Sequence, residues 1–252
     1  MKKKGGKIKI TAIIPSAGKG TRFKSNKRKP LTNLNRQPLL SYALKAFQSS
    51  TLIEEVILVI DKSLLTAAKK LVERYKITKV KHIVKGGKTR TESVRKGLCW
   101  VDKDTSLVLI HDGVRPFVSG EVIKRTIDAA LKFGASVSAV PVKATIKISK
   151  KNSFVKYTPD RAKLWEVQTP QVFKKELIED AYRKIKRNKM FTPPDRRSSR
   201  NRRRRRTRSF TDDAALVENA GKKVKIVRGD YNNIKITTTE DIKIAEALLR
   251  RR

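Results

Sequence analysis

The chain reads as an α/β protein built on a parallel sheet with helices on both faces, and three observations predict it. Short, nearly unbroken apolar runs at residues 10–14, 55–60 and 107–110 have the length of buried strands. Stretches with helical apolar spacing separate them, the rhythm of strand–helix–strand units. Glycine-containing loops follow the runs, at Gly18 and Gly20, at Gly86-Gly87 and at Gly113. In such sheets the site lies beyond the carboxyl ends of the strands.

Residues 10–14 form the first strand, stopped by Pro15 and followed by Ser16-Ala17-Gly18-Lys19-Gly20-Thr21-Arg22, with Lys29 just before Pro30. A loop of small residues brings backbone N–H groups within reach of phosphate oxygens, and Arg22 and Lys29 add positive charge. This is the pattern of a nucleoside triphosphate cradle; an ordinary strand-to-helix turn is the plain alternative. A dinucleotide fingerprint fails because its third glycine is Phe23, and a P-loop fails at Ile13 and Gly20.

Residues 38–49 carry Leu39, Leu40, Tyr42, Ala43, Leu44 and Phe47 at helical spacing. Residues 55–60 are the second strand, and 63–75 a helix with Ser63 as its N-cap. The third strand, 80–84, runs into Gly86-Gly87, and a helix over 90–100 holds Cys99 as a buried residue. The fourth strand, 107–110, ends at His111-Asp112, with His111 packed at the strand end. A helix over 121–132 and a strand over 136–140 follow. Residues 145–149 and 153–157 alternate side-chain type across Lys150-Lys151-Asn152, a β-hairpin. Such a hairpin is either an arm for a partner subunit or a solvent-exposed flap. Residues 174–189 are helical, 193–208 are an arginine-rich, low-complexity stretch expected to be disordered, and Thr211-Asp212-Asp213 caps a helix over 214–219. Strands at 224–227 and 232–237 precede a last helix that starts at Thr239-Glu240-Asp241. There is no internal repeat.

The 252 residues provide ample length for a core. A single cysteine excludes an internal disulfide and any multi-cysteine metal site, and two histidines leave little for zinc. The basic start is followed by an apolar run of only about five residues, short of the roughly 7–15 of a secretory core and the roughly 18 of a membrane span. A soluble, cytoplasmic protein without a membrane partner is expected. The formal net charge of +39 favours anionic partners, a polyanionic substrate or RNA, and says nothing about fold.

A series of motifs in order along the chain resembles the 2-C-methyl-D-erythritol 4-phosphate cytidylyltransferases of the non-mevalonate isoprenoid pathway. They are Pro15-Ser16-Ala17-Gly18-Lys19-Gly20-Thr21-Arg22 with Lys29, Gly86-Gly87 with Arg90 and Ser93-Val94, and His111-Asp112-Gly113-Val114-Arg115-Pro116. Pro141-Val142 with Thr145, Asp160-Arg161 with Leu164-Trp165, Thr169-Pro170-Gln171-Val172-Phe173, Thr211-Asp212-Asp213 and Asn233-Ile234-Lys235-Ile236-Thr237 complete the set. The resemblance spans almost the whole chain. It implies a single nucleotidyltransferase domain over 1–252, Rossmann-like, with a mostly parallel sheet, helices on both faces and a β-hairpin dimerisation arm over about 143–160.

The resemblance also implies roles. Arg22 and Lys29 would neutralise charge at the α-phosphate of CTP, and Arg161 and Lys235 would complete the cationic set. Ser16, Ala17, Gly18 and Gly20 would meet the nucleotide, with Gly86, Gly87 and Ser93 near the cytosine and ribose. Asp112, Arg115, Thr145, Thr169 and Thr211 would surround the methylerythritol phosphate, and the arm would carry Thr145 and Arg161 into the partner's site of a homodimer. Trp165 reads as core or arm packing. The chain departs from the family at Arg28-Lys29-Pro30, where Pro-Lys-Gln is usual, and at Ala144, where an acidic residue is usual. The arginine-rich segment over about 193–209 is an insertion.

The chemistry suits these residues. A phosphate monoester has a second pKa near ~6 and is mostly a dianion at neutral pH, so its attack needs no general base. The enzyme must align two anions and offset charge in the transition state. Mg²⁺ bridging the triphosphate is expected as cofactor, and Asp112 is the nearest carboxylate to help place the metal or a substrate hydroxyl. Two rival readings stand beside this one. The first is a ribitol 5-phosphate cytidylyltransferase, differing only in the polyol pocket. The second is non-specific, salt-dependent RNA binding through the basic run, incidental to catalysis.

Overall fold

The computed structural model describes residues 8–18, 23, 28–187 and 210–250. The predicted disordered insert at 193–209 and the loop residues Gly20 and Arg22 lie outside them.

The α/β reading holds. Strands β1 (Ile10–Ser16), β4 (Glu55–Ile60), β5 (Val80–Lys85), β6 (Leu107–Ile110), β7 (Ala135–Pro141), β10 (Trp165–Lys174) and β11 (Lys225–Arg228) form one sheet in the order β11-β7-β10-β6-β1-β4-β5. Neighbours pair in parallel except at β10, which runs antiparallel between β6 and β7. β10 has no counterpart in the sequence-based reading. Its core half, Gln168 to Phe173, is buried among polar and apolar residues alike, so no simple apolar run announces it.

Alternate side chains of each central strand enter opposite layers, as a period of two requires. Ala12, Ile14 and Leu58 join the layer beneath α1 (Leu39–Ser49), α2 (Leu65–Arg74) and α4 (Gly120–Phe133). Ile13, Ile57 and Val59 join the layer beneath α3 (Arg90–Leu98), α5 (Lys175–Arg187) and α6 (Asp213–Asn219). A third cluster seats α7 (Glu240–Arg250) through Ala245 against Leu34, Leu39, Phe117 and Ile236. Helix ends follow local chemistry. The hydroxyls of Thr89 and Ser119 accept from Glu92 N–H and Val122 N–H at the starts of α3 and α4, and Gly134, at φ 89°, ends α4 in the left-handed conformation open to glycine.

Several local expectations are corrected. Ser63 is not an N-cap; Asp61 takes that role, accepting from Ser63 N–H and Oγ–H ahead of a 3₁₀ turn that leads into α2. Cys99 sits at the C-cap of α3 and is exposed, because that turn faces outward. Residues 232–237 are not a strand. They begin in a turn, with Asn233 N–H to Asp230 O and Ile234 N–H to Asn232 O, and then make one lateral backbone bond, Ile236 N–H to Val114 O, with no ladder.

The hairpin is present in shorter form, as β8 (Ile148–Ser149) against β9 (Val155–Tyr157), antiparallel. Between them Asn152 and Ser153 both take positive φ. A two-stranded hairpin β2 (Asn33–Leu34) and β3 (Gln37–Pro38) leads into α1. Among the described residues no helix is long and apolar enough to cross a membrane.

Candidate active site

A cleft of about 280 Å³ opens at the carboxyl ends of β1, β5 and β6, where the loop positions predicted it. Pro15, Ser16, Ala17 and Gly18 form one wall, Lys29 and Pro30 another, and Arg90, Ser93, Asp112, Val114 and Lys235 the rest. Two close approaches lock these loops together. A Cβ on Gly86 would lie 2.1 Å from Ala17 Cβ, and one on Gly113 would lie 2.1 Å from Ser16 Oγ. Larger residues would force the three loops apart.

The β5–α3 loop is held by Ser93. Its hydroxyl accepts from Gly87 N–H at 3.0 Å and donates to Thr89 O at 2.9 Å, while Lys96 Nζ donates to Gly86 O. Lys29 stands in a 3₁₀ turn, Lys29–Leu31, that the following Pro30 preorganises. Its ammonium donates to Thr237 O at 3.2 Å and lies 5.4 Å from the centre of the Phe23 ring. The departure at Arg28-Lys29-Pro30 therefore still delivers Lys29 to the cleft.

Asp112 is the electrostatic centre. Arg90 Nε lies 2.9 Å from Oδ1, Lys235 Nζ 2.7 Å from Oδ2, and Arg115 Nε 3.9 Å from Oδ2. Burial opposes its ionisation, but Arg90, then Lys235 and Arg115, outweigh it and hold the carboxyl well below the usual range. Arg90 also donates from Nη1 to Asp213 at 2.6 Å, and the other oxygen of Asp213 accepts from Tyr182 Oη–H at 2.6 Å. Sequence reasoning gave Arg90 and Asp213 no role in the site. The signal was a helix-start arginine with an acidic pair far along the chain, readable only once the fold joins them.

The turn 111–115 is tied to the segment that carries Lys235. Arg115 Nη1 donates to Asn233 O at 2.7 Å, and Asn233 Nδ2 donates to Thr169 O at 2.8 Å. Ile234 and Ile236 point inward and leave Lys235 facing the cleft. Thr169 is buried behind Asp112, its hydroxyl accepting from Asp112 N–H at 3.1 Å. His111 is wholly buried, as expected for a packed strand-end residue, with its ring edge-on to Phe47.

Thr145 and Arg161 stand apart from this cleft, exposed on the arm, with Arg161 Nη1 donating to Lys143 O at 2.9 Å. Thr211 is exposed just before Asp212, which caps α6 by accepting from Ala215 N–H. Around the arm Ile146, Ile148, Phe154, Val155, Tyr157, Trp165 and Val167 expose apolar surface, Phe154 at 72%.

Comparison with known proteins decides the family. The family model described as IspD, 2-C-methyl-D-erythritol 4-phosphate cytidylyltransferase, matches residues 10–251. The chain belongs to the IspD family. Among its relatives, the 2-C-methyl-D-erythritol 4-phosphate cytidylyltransferase of Alkaliphilus oremlandii is 42% identical over 97% of this chain and 96% of the relative. That of Caldanaerobacter subterraneus is 40% identical over 97% and 100%. The crystal structure of the 4-diphosphocytidyl-2C-methyl-D-erythritol synthase from Anaerococcus prevotii superposes with a TM-score of 0.79 at 36% identity, covering 97% of this chain and 99% of that one. The Thermus thermophilus cytidylyltransferase gives 0.73 at 27% identity. The IspD resemblance and the α/β fold read from the sequence both stand.

Proposed function

We propose that the protein transfers CMP from CTP to 2-C-methyl-D-erythritol 4-phosphate and releases pyrophosphate. The observation that carries this reading is the cleft that Lys29, Asp112 and Lys235 line together at the carboxyl ends of the parallel strands, with Lys235 paired to Asp112, on a chain matched over residues 10–251 by that family. The substrate phosphate, already a dianion, attacks the α-phosphorus in line as the pyrophosphate oxygen departs. Lys29, with Arg22, offsets the charge that accumulates on the α-phosphate. Each such oriented donor is worth about 3–4 kcal/mol. Lys235 draws on Asp112 for its position and aligns the attacking phosphate. Ser16, Ala17, Gly18, Gly20, Gly86, Gly87 and Ser93 receive the nucleotide, and Arg115 and Thr211 border the acceptor.

The described residues do not build a protein-held magnesium cage. Among them no three His, Cys, Asp or Glu side chains cluster, and both oxygens of Asp112 face cations. The ion is better read as a companion of the triphosphate, keeping phosphate and water ligands. The exposed apolar arm supports a homodimer in which Thr145 and Arg161 reach the partner's acceptor pocket. The same reading puts the protein in the cytoplasm, where nucleoside triphosphates are available. RNA retention through the +39 charge would be non-specific and would fall steeply with salt.

The test is pyrophosphate release from CTP and Mg²⁺ with methylerythritol 4-phosphate or ribitol 5-phosphate, beside Lys29→Ala. Turnover with the first acceptor, reduced about 10²–10³-fold in the variant, is the expected outcome. Turnover confined to ribitol phosphate would reassign the acceptor.

A further inference from the structure

The turn that carries Asp112 and Arg115 is braced from behind by a buried imidazole that the transfer reaction itself does not use. His111 Nε2 lies 3.1 Å from the Arg115 carbonyl oxygen, which can only accept. The ring proton is therefore on Nε2. Burial lowers the pKa of His111 to about 4, so the ring is neutral at physiological pH and Nδ1 is a lone pair. Nδ1 lies 3.1 Å from Thr169 Oγ1, so the threonine hydroxyl donates its proton there. The same oxygen accepts the Asp112 N–H.

These bonds run in one direction, from Asp112 N–H through the Thr169 hydroxyl and the imidazole to Arg115 O. They start and finish within a single turn. The one proton of Thr169 is thereby committed inside the protein, and the hydroxyl stands outside the cleft lining. Phe47, edge-on at 5.1 Å, covers the ring.

We propose that His111 is a positioning residue for cytidylyl transfer: through Thr169 and the Arg115 carbonyl it sets the turn that aims Asp112 at Lys235. Its reach extends further, because Arg115 holds Asn233 two residues before Lys235. A neutral imidazole suits this place because it presents an acceptor and a donor on opposite edges of one rigid ring. Thr169 then shapes the acceptor pocket through the backbone of Asp112. The proposal rests on the transfer reaction above for its kinetic consequences, and on the hydrogen-bond directions for its structural one.

Two measurements on the full-length protein test it. The chain has two histidines, so ¹⁵N-histidine NMR resolves the His111 ring. The expected spectrum has a neutral Nε2–H tautomer with a hydrogen-bonded Nδ1, which moves toward a free lone pair in Thr169→Val and returns in Thr169→Ser. Steady-state kinetics should show kcat lowered about tenfold and acceptor KM raised in Thr169→Val. The KM for CTP should stay unchanged, and Thr169→Ser should restore both values. In a double-mutant cycle with His111→Asn, the double variant should be no worse than the poorer single one. An Nδ1–H tautomer, a Thr169→Val spectrum identical to the parent, equal defects in Val and Ser, or additive losses would each overturn the proposal. An unmutated protein inactive on every polyol phosphate would defeat the function instead, while the NMR result would still decide the hydrogen-bond chain.

Discussion

The cleft and the arm make opposite use of their residues. In the cleft, charged groups are buried and matched: Asp112 and Asp213, with side chains 8% and 1% exposed, are both bridged by Arg90. In the arm, apolar groups are exposed and unmatched, from Ile146 to Tyr157. Matched burial makes a region complete within one chain, and exposed apolar side chains mark a region that another surface must finish. The cleft is thus matched within its own fold, and under the proposed homodimer the arm of a second copy would finish the acceptor side.

The comparison breaks most visibly at Arg90. Arg90→Met leaves two buried carboxylates without their shared cation and should cost about 3–5 kcal/mol of stability, read by urea denaturation. A loss under about 1 kcal/mol would mean that the cleft is not closed by matched charge. The arm answers to a different probe. Phe154→Asp should weaken self-association by about 2 kcal/mol, or roughly thirtyfold in the dimer constant measured by sedimentation. The melting temperature of the sheet domain should barely move. A variant that dimerises like the parent would separate the exposed arm from assembly.

A pH series sharpens the buried side. His111 has a pKa of about 4 in the fold, against 6.5 ordinarily, with burial as the largest cause. Arg115 and Arg90 reinforce the depression, and the Arg115 carbonyl and Asp112 oppose it. Between these values the unfolded chain binds more protons than the folded one, so stability falls as pH drops. From pH 7 to pH 5 the loss should be about 2 kcal/mol. The slope should vanish in His111→Asn. Asp112, held below the usual carboxylate range, adds its own loss only at more acid pH, where the unfolded chain takes up a proton that the folded carboxyl still refuses.

The half of the fold made of continuous apolar strands was legible, because residues 10–14, 55–60 and 107–110 need no context to be recognised as buried. β10 was not. Gln168, Thr169 and Gln171 are core residues whose polarity is satisfied by Asp230 O, His111 and Asp212, partners from 41 to 62 positions away. The cleft loops at Ser16, Gly86 and Asp112 were placed by the rule that sites form at strand carboxyl ends. The bridge through Arg90 to Asp213 escaped for the reason β10 did, since its logic is long-range. Lys235 lies in no strand; Ile234 and Ile236 turn into the core on either side of it while it lines the cleft, so the side-chain alternation survives without a ladder.

The place of β10 has a consequence for how the chain is made. β1, β4, β5 and β6 are complete once synthesis passes Ile110, yet the neighbour that covers β6 begins only at Trp165. Until then the emerging half-sheet carries a bare, hydrogen-bonding border of Leu107–Ile110, the kind of edge that invites pairing between nascent chains. Successive ribosomes on one message would hold such borders near one another. Pairing of β10 with β6 therefore removes an edge that would otherwise invite association between unfinished chains.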